Sequence, residues 1–254
     1  MFGFQRRRRE KIRRRPFPAE WLAILTRNVP AYARLTPREQ EELRGHILVF
    51  LAGKIFEGCG GLEMTDEIRV TIAAQACLLL LHREAKYYPS LRTIFVYPHH
   101  YFVPTERRVG CLVVAGQDDR LGESWRRGPV VLSWDDVRRG ASDAHDGHNV
   151  VYHEFAHQLD EESGGADGAP ALPRRSMYIA WARVLGGEYQ KLLDDLRHHR
   201  KTDIDAYGAT NPAEFFAVVT EAFFETPRKL QRKHPALYEQ FRDFYQQNPA
   251  ERAS

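Results

Sequence analysis

Cysteine is scarce in this chain. The 254 residues contain three, Cys59, Cys77 and Cys111, an odd number with no C-x-x-C spacing. That argues against a disulfide framework and fits the reducing cytoplasm. Long apolar runs are also lacking. The longest candidate, Ile72–Leu81 (IAAQACLLLL), is too short to span a bilayer and contains Gln75. It reads as a buried helix, so no membrane partner is expected. No apolar stretch or small-residue cleavage site follows the charged N-terminal segment, so no secretion signal is expected.

An excess of one charge is missing as well, except locally. The whole chain is +3, but residues 6–15 (RRRREKIRRR) hold a local excess of +7, which leaves −4 for the rest. A mildly acidic body does not support nucleic-acid gripping. Residues 1–20 read as a flexible basic tail ending at Pro16 and Pro18, and 21–250 as a single domain. With 43% hydrophobic and 28% charged residues, that domain has ordinary globular composition.

The pattern of elements predicts an α+β fold. Thr36-Pro37-Arg38-Glu39 is a helix start with a capping box, for a helix running to about Ala52. Thr65 starts the next helix, which carries the apolar run to about His82. Short extended segments follow at Leu91–Tyr97, Val109–Ala115 and Pro129–Trp134. Helices are then expected near 148–161, 176–197, 212–225 and 235–246, with a Gly-rich loop at 164–168. Helices, a small sheet, then helices again give neither βαβ alternation nor an internal repeat.

Within the first of these later helices, residues 150–159 read VVYHEFAHQL. The core is H-E-x-x-H: His153, Glu154 and His157. On a helix, positions i and i+4 share a face, so both imidazoles can reach one ion. Zinc lowers the pKa of a bound water towards ~7, and Glu154 is placed to take that water's proton. Two face histidines beside a surface Glu would be the ordinary alternative, but the flanking run is too apolar for an exposed face.

A zinc site of this kind needs a third protein ligand. Candidates lie in Asp205–Glu225 (DAYGATNPAEFFAVVTEAFFE). Asn211 can cap this helix, Pro212 suits its first position, and Glu214 falls third, where a capping-box carboxylate is the ordinary reading. The helix is otherwise apolar nearly all round, hence buried. Glu214 and Glu221 lie seven apart on one face and need a cation or donors nearby. Residue pattern leaves the two equal; whichever is not the ligand can hold a ligand histidine by its far ring nitrogen.

HEFAHQLD followed by DAYGATNPAEFFAVVTEAFF, with GPVVLSW before and FRDFYQQNP after, resembles the Mlc titration factor A family of bacterial zinc peptidases. The resemblance runs from about residue 20 to 250 and gives the basic segment at 6–15 no counterpart. It implies a zincin-like metallopeptidase with a helical N-terminal part, a small mixed sheet and a helical C-terminal part carrying the third ligand. That ligand is then the Glu of the Pro-Ala-Glu step, Glu214. The family's core is similar to that of anthrax lethal factor, in which a Tyr seven residues before the ligand Glu assists the transition state; Tyr207 holds that spacing. The resemblance implies Zn2+, aminopeptidase-like action on peptides with Glu154 and Tyr207 as catalytic residues, and capture of an Mlc-type repressor that controls sugar phosphotransferase genes. On the alternative view, the chain is a repressor-binding module and its zinc site is secondary. Asp160, one turn beyond His157, is expected to orient a donor or close the helix. His99, His100, His198, His199 and His234 read as surface residues; His145 and His148, just before the motif helix, are the exceptions to watch.

Overall fold

The computed structural model describes the backbone of residues 2–99, 101–109, 112–120, 122–124, 128–142 and 146–252, and the side chains of 4–99, 128–142 and 146–252. The chain opens with helices α1 (Phe2–Arg13), α2 (Ala19–Asn28), the short α3 (Pro30–Ala33) and α4 (Pro37–Gly53). Strand β1 (Ile55–Gly58), helix α5 (Asp66–Leu78) and strand β2 (Thr93–Tyr97) follow. Next come β3 (Tyr101–Val109), β4 (Leu112–Arg120), β5 (Gly122–Ser124) and β6 (Val130–Ser133). The rest is helical: α6 (Trp134–Ser142), α7 (Val150–Asp160), α8 (Met177–Arg197), α9 (Pro212–Glu225), α10 (Pro227–Lys233), α11 (Pro235–Tyr245) and α12 (Pro249–Arg252).

The fold is α+β, with a small mixed sheet in the order β1-β2-β6-β5. β1, β2 and β6 are parallel, and β5 closes the edge antiparallel to β6. Val130–Ser133 is buried throughout, whereas β2 alternates half-buried and buried residues. Both strands are interior to the sheet, so the contrast reflects cover on the faces: a strand covered on both faces needs no polar alternation.

Three expectations need correction. First, β1, α5 and β2 form a parallel strand–helix–strand unit, although the pattern shows no such alternation. β1 is only four residues (IFEG) and mostly exposed, so it carries no hydrophobic signal. Second, the strand expected over Val109–Ala115 is divided. Val109 ends β3, Leu112 begins β4, and the two strands pair antiparallel.

Third, the segment expected as a flexible tail contains α1. Ile12 is buried, Arg13 lies against Gly45 of α4, and the Arg9 guanidinium sits 5.0 Å from the Tyr87 ring centroid while donating to the Lys86 carbonyl. Long arginine stems supply the packing that apolar side chains would ordinarily provide. The opposite face leaves Arg6, Arg7, Arg8, Lys11 and Arg14 exposed.

Helix starts follow their caps. Thr36 accepts from the Glu39 N–H and the Glu39 carboxylate accepts from the Thr36 N–H, a complete capping box. Thr65 accepts from the Ile68 N–H to start α5. Two aromatic clusters hold the helices around the sheet. Phe155 of α7 meets Tyr88 at 4.8 Å and Phe50 of α4 at 5.7 Å between ring centroids. Trp181 of α8 stacks on Phe241 of α11 at 5.5 Å, with Phe216 of α9 beside it at 5.9 Å. Among the described residues no helix is long and apolar enough to cross a membrane. Cys59 and Cys77 are free thiols; Cys111 lies outside the described residues.

Phe155 is fully buried on the side of α7 that faces α4. Phe155→Ala should destabilise the protein by about 3–5 kcal/mol. Urea unfolding should show a lower midpoint with an unchanged slope; an unmoved midpoint would refute the packing role given to this ring.

Candidate metal centre

Helix α7 begins at Asn149, whose side chain accepts from the Tyr152 N–H. One turn on, His153 and His157 project from the same face with their Nε2 atoms 3.2 Å apart. Helix α9 crosses α7 and starts at Asn211, whose side chain accepts from the Glu214 N–H, with Pro212 in the first turn. The Glu214 carboxylate turns to the histidines: its Oε2 lies 3.0 Å from Nε2 of His153 and 3.3 Å from Nε2 of His157. Two turns later, Glu221 meets the other nitrogen of His153, with Oε1 2.8 Å from Nδ1. The two carboxylates that the residue pattern leaves equal thus take opposite sides of one imidazole.

His153, His157 and Glu214 form a group able to hold a metal ion, with donor atoms within 4.8 Å of one another. An ion bound at about 2.0–2.2 Å places tetrahedral neighbours about 3.3–3.6 Å apart. The observed separations of 3.0, 3.2 and 3.3 Å match a slightly contracted face of that tetrahedron. The donor chemistry agrees. With Nδ1–H of His153 donating to Glu221, Nε2 presents a lone pair towards a carboxylate oxygen and a second imidazole nitrogen. Such a cluster calls for positive charge at its centre.

The electrostatics of the cluster agree. Burial pulls the His153 pKa down, yet hydrogen bonds to Glu214 and Glu221 outweigh it and hold the imidazole well above its ordinary value. Burial works against Glu214 ionisation, but bonds to His153 and His157 bring its pKa down to about 2. Both shifts express one demand, for positive charge between the carboxylates and the imidazoles.

Glu154 is 2% exposed, and its charge bears on the neighbouring His153. Tyr207 stands in a single 3-10 turn, Ala206–Ala209, capped by Asp205, whose carboxylate accepts from the Tyr207 N–H at 2.7 Å. Its ring centroid is 5.8 Å from that of His153 while the residue is 56% exposed. This places an exposed phenol ring beside the cluster rather than in the core.

Asp160 ends α7 with its carboxylate buried and accepting from the Gly168 N–H at 2.7 Å. Gly168 has φ +78°, and a Cβ there would sit 2.4 Å from the carbonyl oxygen of Pro212, the first residue of α9. The loop after α7 is thereby pinned against the start of α9. Burial, opposed by the Gly168 N–H, raises the Asp160 carboxyl to about 6.

The other histidines mostly lie where expected. His99 and His198 are exposed beside Asp135 and Asp194. His148 is also exposed, 3.8 Å from Asp205, and joins no ligand group among the described residues. His234 departs from its surface reading. It is 7% exposed between α10 and α11, with Nδ1 2.8 Å from Glu188. His100 and His145 lie outside the described residues.

An α+β fold that brings two histidines and a glutamate together between two buried helices defines a candidate metalloprotein. The family profile for glucose-regulated metallo-peptidase M90 matches residues 4–246, and the chain belongs to that metallopeptidase family. The match includes the basic helix α1, which the resemblance read from the motifs leaves without a counterpart. An uncharacterized protein of Synechocystis sp. is 45% identical over 240 residues, covering 94% of this chain and 87% of its own. Mlc titration factor A of Klebsiella pneumoniae is 36% identical over 228 residues, covering 88% and 85%. Mlc titration factor A of Yersinia pestis is 34% identical over 240 residues, covering 92% and 86%.

Asp160 sets a pH dependence. Its folded-state pKa of about 6 exceeds an ordinary carboxyl value, so folding favours the protonated form. Its stabilising effect is greatest below about pH 4 and is lost as pH rises through about 6. Asp160→Asn removes this titration. Urea unfolding from about pH 4 to about pH 7 should show the stability difference moving in favour of the variant as pH rises. A constant difference would refute it.

Proposed function

We propose that the chain is a zinc-dependent peptidase of aminopeptidase-like action, with His153, His157 and Glu214 as metal ligands. The observation that carries this reading is the convergence of three donor atoms at tetrahedral spacing. A zinc ion held there would polarise the scissile carbonyl and lower the pKa of its water to about 7.

The chain's own residues supply the rest. Glu154 takes the proton from the attacking water and returns it to the leaving amine. Its burial suits a base that must work in a site shielded from bulk water. The phenol of Tyr207 donates to the oxyanion of the tetrahedral intermediate. Asp205 orients Tyr207 by accepting its backbone N–H. Glu221 fixes the His153 ring from behind. Peptides are the proposed substrates and the cytoplasm the proposed location, where the free thiols Cys59 and Cys77 stay reduced.

A second reading is favoured by the name of two relatives, Mlc titration factor A. In it the chain captures an Mlc-type repressor and relieves its control of sugar phosphotransferase genes. Glu154 separates the two readings, since hydrolysis needs its carboxylate and capture does not.

Glu154→Gln should retain about one zinc per chain and the wild-type fold while kcat falls by at least about 10²-fold, because the amide cannot accept the proton. Near-normal turnover on a fluorogenic peptide would remove Glu154 from the mechanism. Tyr207→Phe should lower kcat by about 10²–10³ with zinc content and KM nearly unchanged. Steady-state kinetics showing kcat within about twofold of wild type would leave Tyr207 without a role in the transition state.

A further inference from the structure

The residue before the metal helix uses its polar atoms on every side. Asn149 is 2% exposed. Its Oδ1 accepts from the Tyr152 N–H at 3.0 Å, which is the helix cap. Its backbone N–H donates to Oε2 of Glu221 at 2.5 Å. Its Nδ2 faces Oε1 of Gln75 at 2.8 Å, the Gly140 carbonyl at 3.0 Å and Oε1 of Glu225 at 3.1 Å. These acceptors come from α5, α6 and α9.

A cap needs only an acceptor, and Asp or Ser provides one as well as Asn does. The side-chain NH2 is therefore surplus to capping. On α9 it meets Glu225, which sits one turn beyond Glu221; the two carboxylates are 3% and 7% exposed. Like charges at that spacing repel, more strongly out of water. Asn149 offers an N–H to each of them. Helix α6 closes over the contact at Gly140, where a Cβ would lie 3.1 Å from Cα of Asn149, so the residue has no room to shift.

We propose that Asn149 is the positioning residue of the metal centre. Its side-chain NH2, facing Gln75, Gly140 and Glu225, fixes the residue against α5, α6 and α9, and its backbone N–H thereby holds the Glu221 carboxylate, whose Oε1 takes Nδ1–H of His153 and so turns Nε2 of that ring towards Glu214 and His157. The inference rests on the ligand assignment proposed above. Asn149 itself touches neither ligand pair nor substrate; it acts through Glu221.

The test exchanges donor and acceptor. Asn149→Asp keeps the cap oxygen and the size of the side chain but turns an acceptor towards Glu225. Adding Glu225→Gln restores one donor and one acceptor across the same contact. Zinc affinity of the full chain, measured by competition with a chelator, should fall at least about tenfold in Asn149→Asp. The double variant should regain part of that loss, since its Asp oxygen still faces the Gly140 carbonyl. The visible spectrum of the cobalt(II)-loaded chain should broaden or shift in the single variant and return in the double, which loss of stability by itself would not produce. If Asn149→Asp does not fold, Asn149→Ser keeps a cap oxygen without the NH2 and carries the same expected loss. Affinity within about twofold of wild type in the variant measured overturns the proposal, as does a double variant no tighter than the single one. A wild-type chain that takes up neither zinc nor cobalt would instead refute the ligand assignment, so the two failures are distinct.

Discussion

His153 is gripped at both ring nitrogens by carboxylates from one helix, and the arrangement of α7 against α9 depends on that grip. Glu214 and Glu221 lie seven residues apart, about 10.5 Å along the axis, with the imidazole set between them. Taking two carboxylates out of water is costly unless each finds donors or a cation. The structure meets that demand from both helix ends. Asn211 starts α9 so that Glu214 emerges in its first turn, and Asn149 starts α7 so that its own N–H reaches Glu221. The apolar remainder of α9, with Phe215, Phe216, Val219 and Phe223 buried, keeps water from competing for these bonds.

Much of this is legible in the sequence because it is local. The Thr36 capping box and the Asn211-Pro212 start depend on residues within one turn and form as read, and the four-residue spacing of His153 and His157 sets their Nε2 atoms 3.2 Å apart. The choice between Glu214 and Glu221 is not local. Both occupy the same face of α9, and what distinguishes them is which nitrogen of a ring on another helix they meet. Asn149 is illegible for a related reason. A cap residue and the centre of a buried network look identical in sequence, and the acceptors Gln75, Gly140 and Glu225 lie as far as 76 residues away. β1 is missed because a four-residue exposed strand has no pattern, and α1 because arginine stems do its packing.

The loop after α7 ties the end of that helix to the start of α9. Asp160 holds Gly168 by its N–H, the Gly168 carbonyl accepts from Nε1 of Trp181, and Gly168 abuts Pro212. Movement of this loop would therefore reach Glu214 through the first turn of α9. The carboxylate at that junction, Asp160, is buried and its pKa is raised to about 6.

Helix α1 makes the molecule electrically lopsided. Residues 6–15 carry +7 and the remaining chain −4. Most of their cations, Arg6, Arg7, Arg8, Lys11, Arg14 and Arg15, are exposed together on one short segment rather than spread over the surface. Net charge thus misdescribes the particle. A cation-exchange resin would hold it by one edge while the rest repels the resin, and elution would track that edge rather than the isoelectric point. Clipping by a trypsin-like protease after Arg14, since the Arg15–Pro16 bond resists such enzymes, would remove a charge of +6, leave −3 and send the trimmed protein to the opposite exchanger.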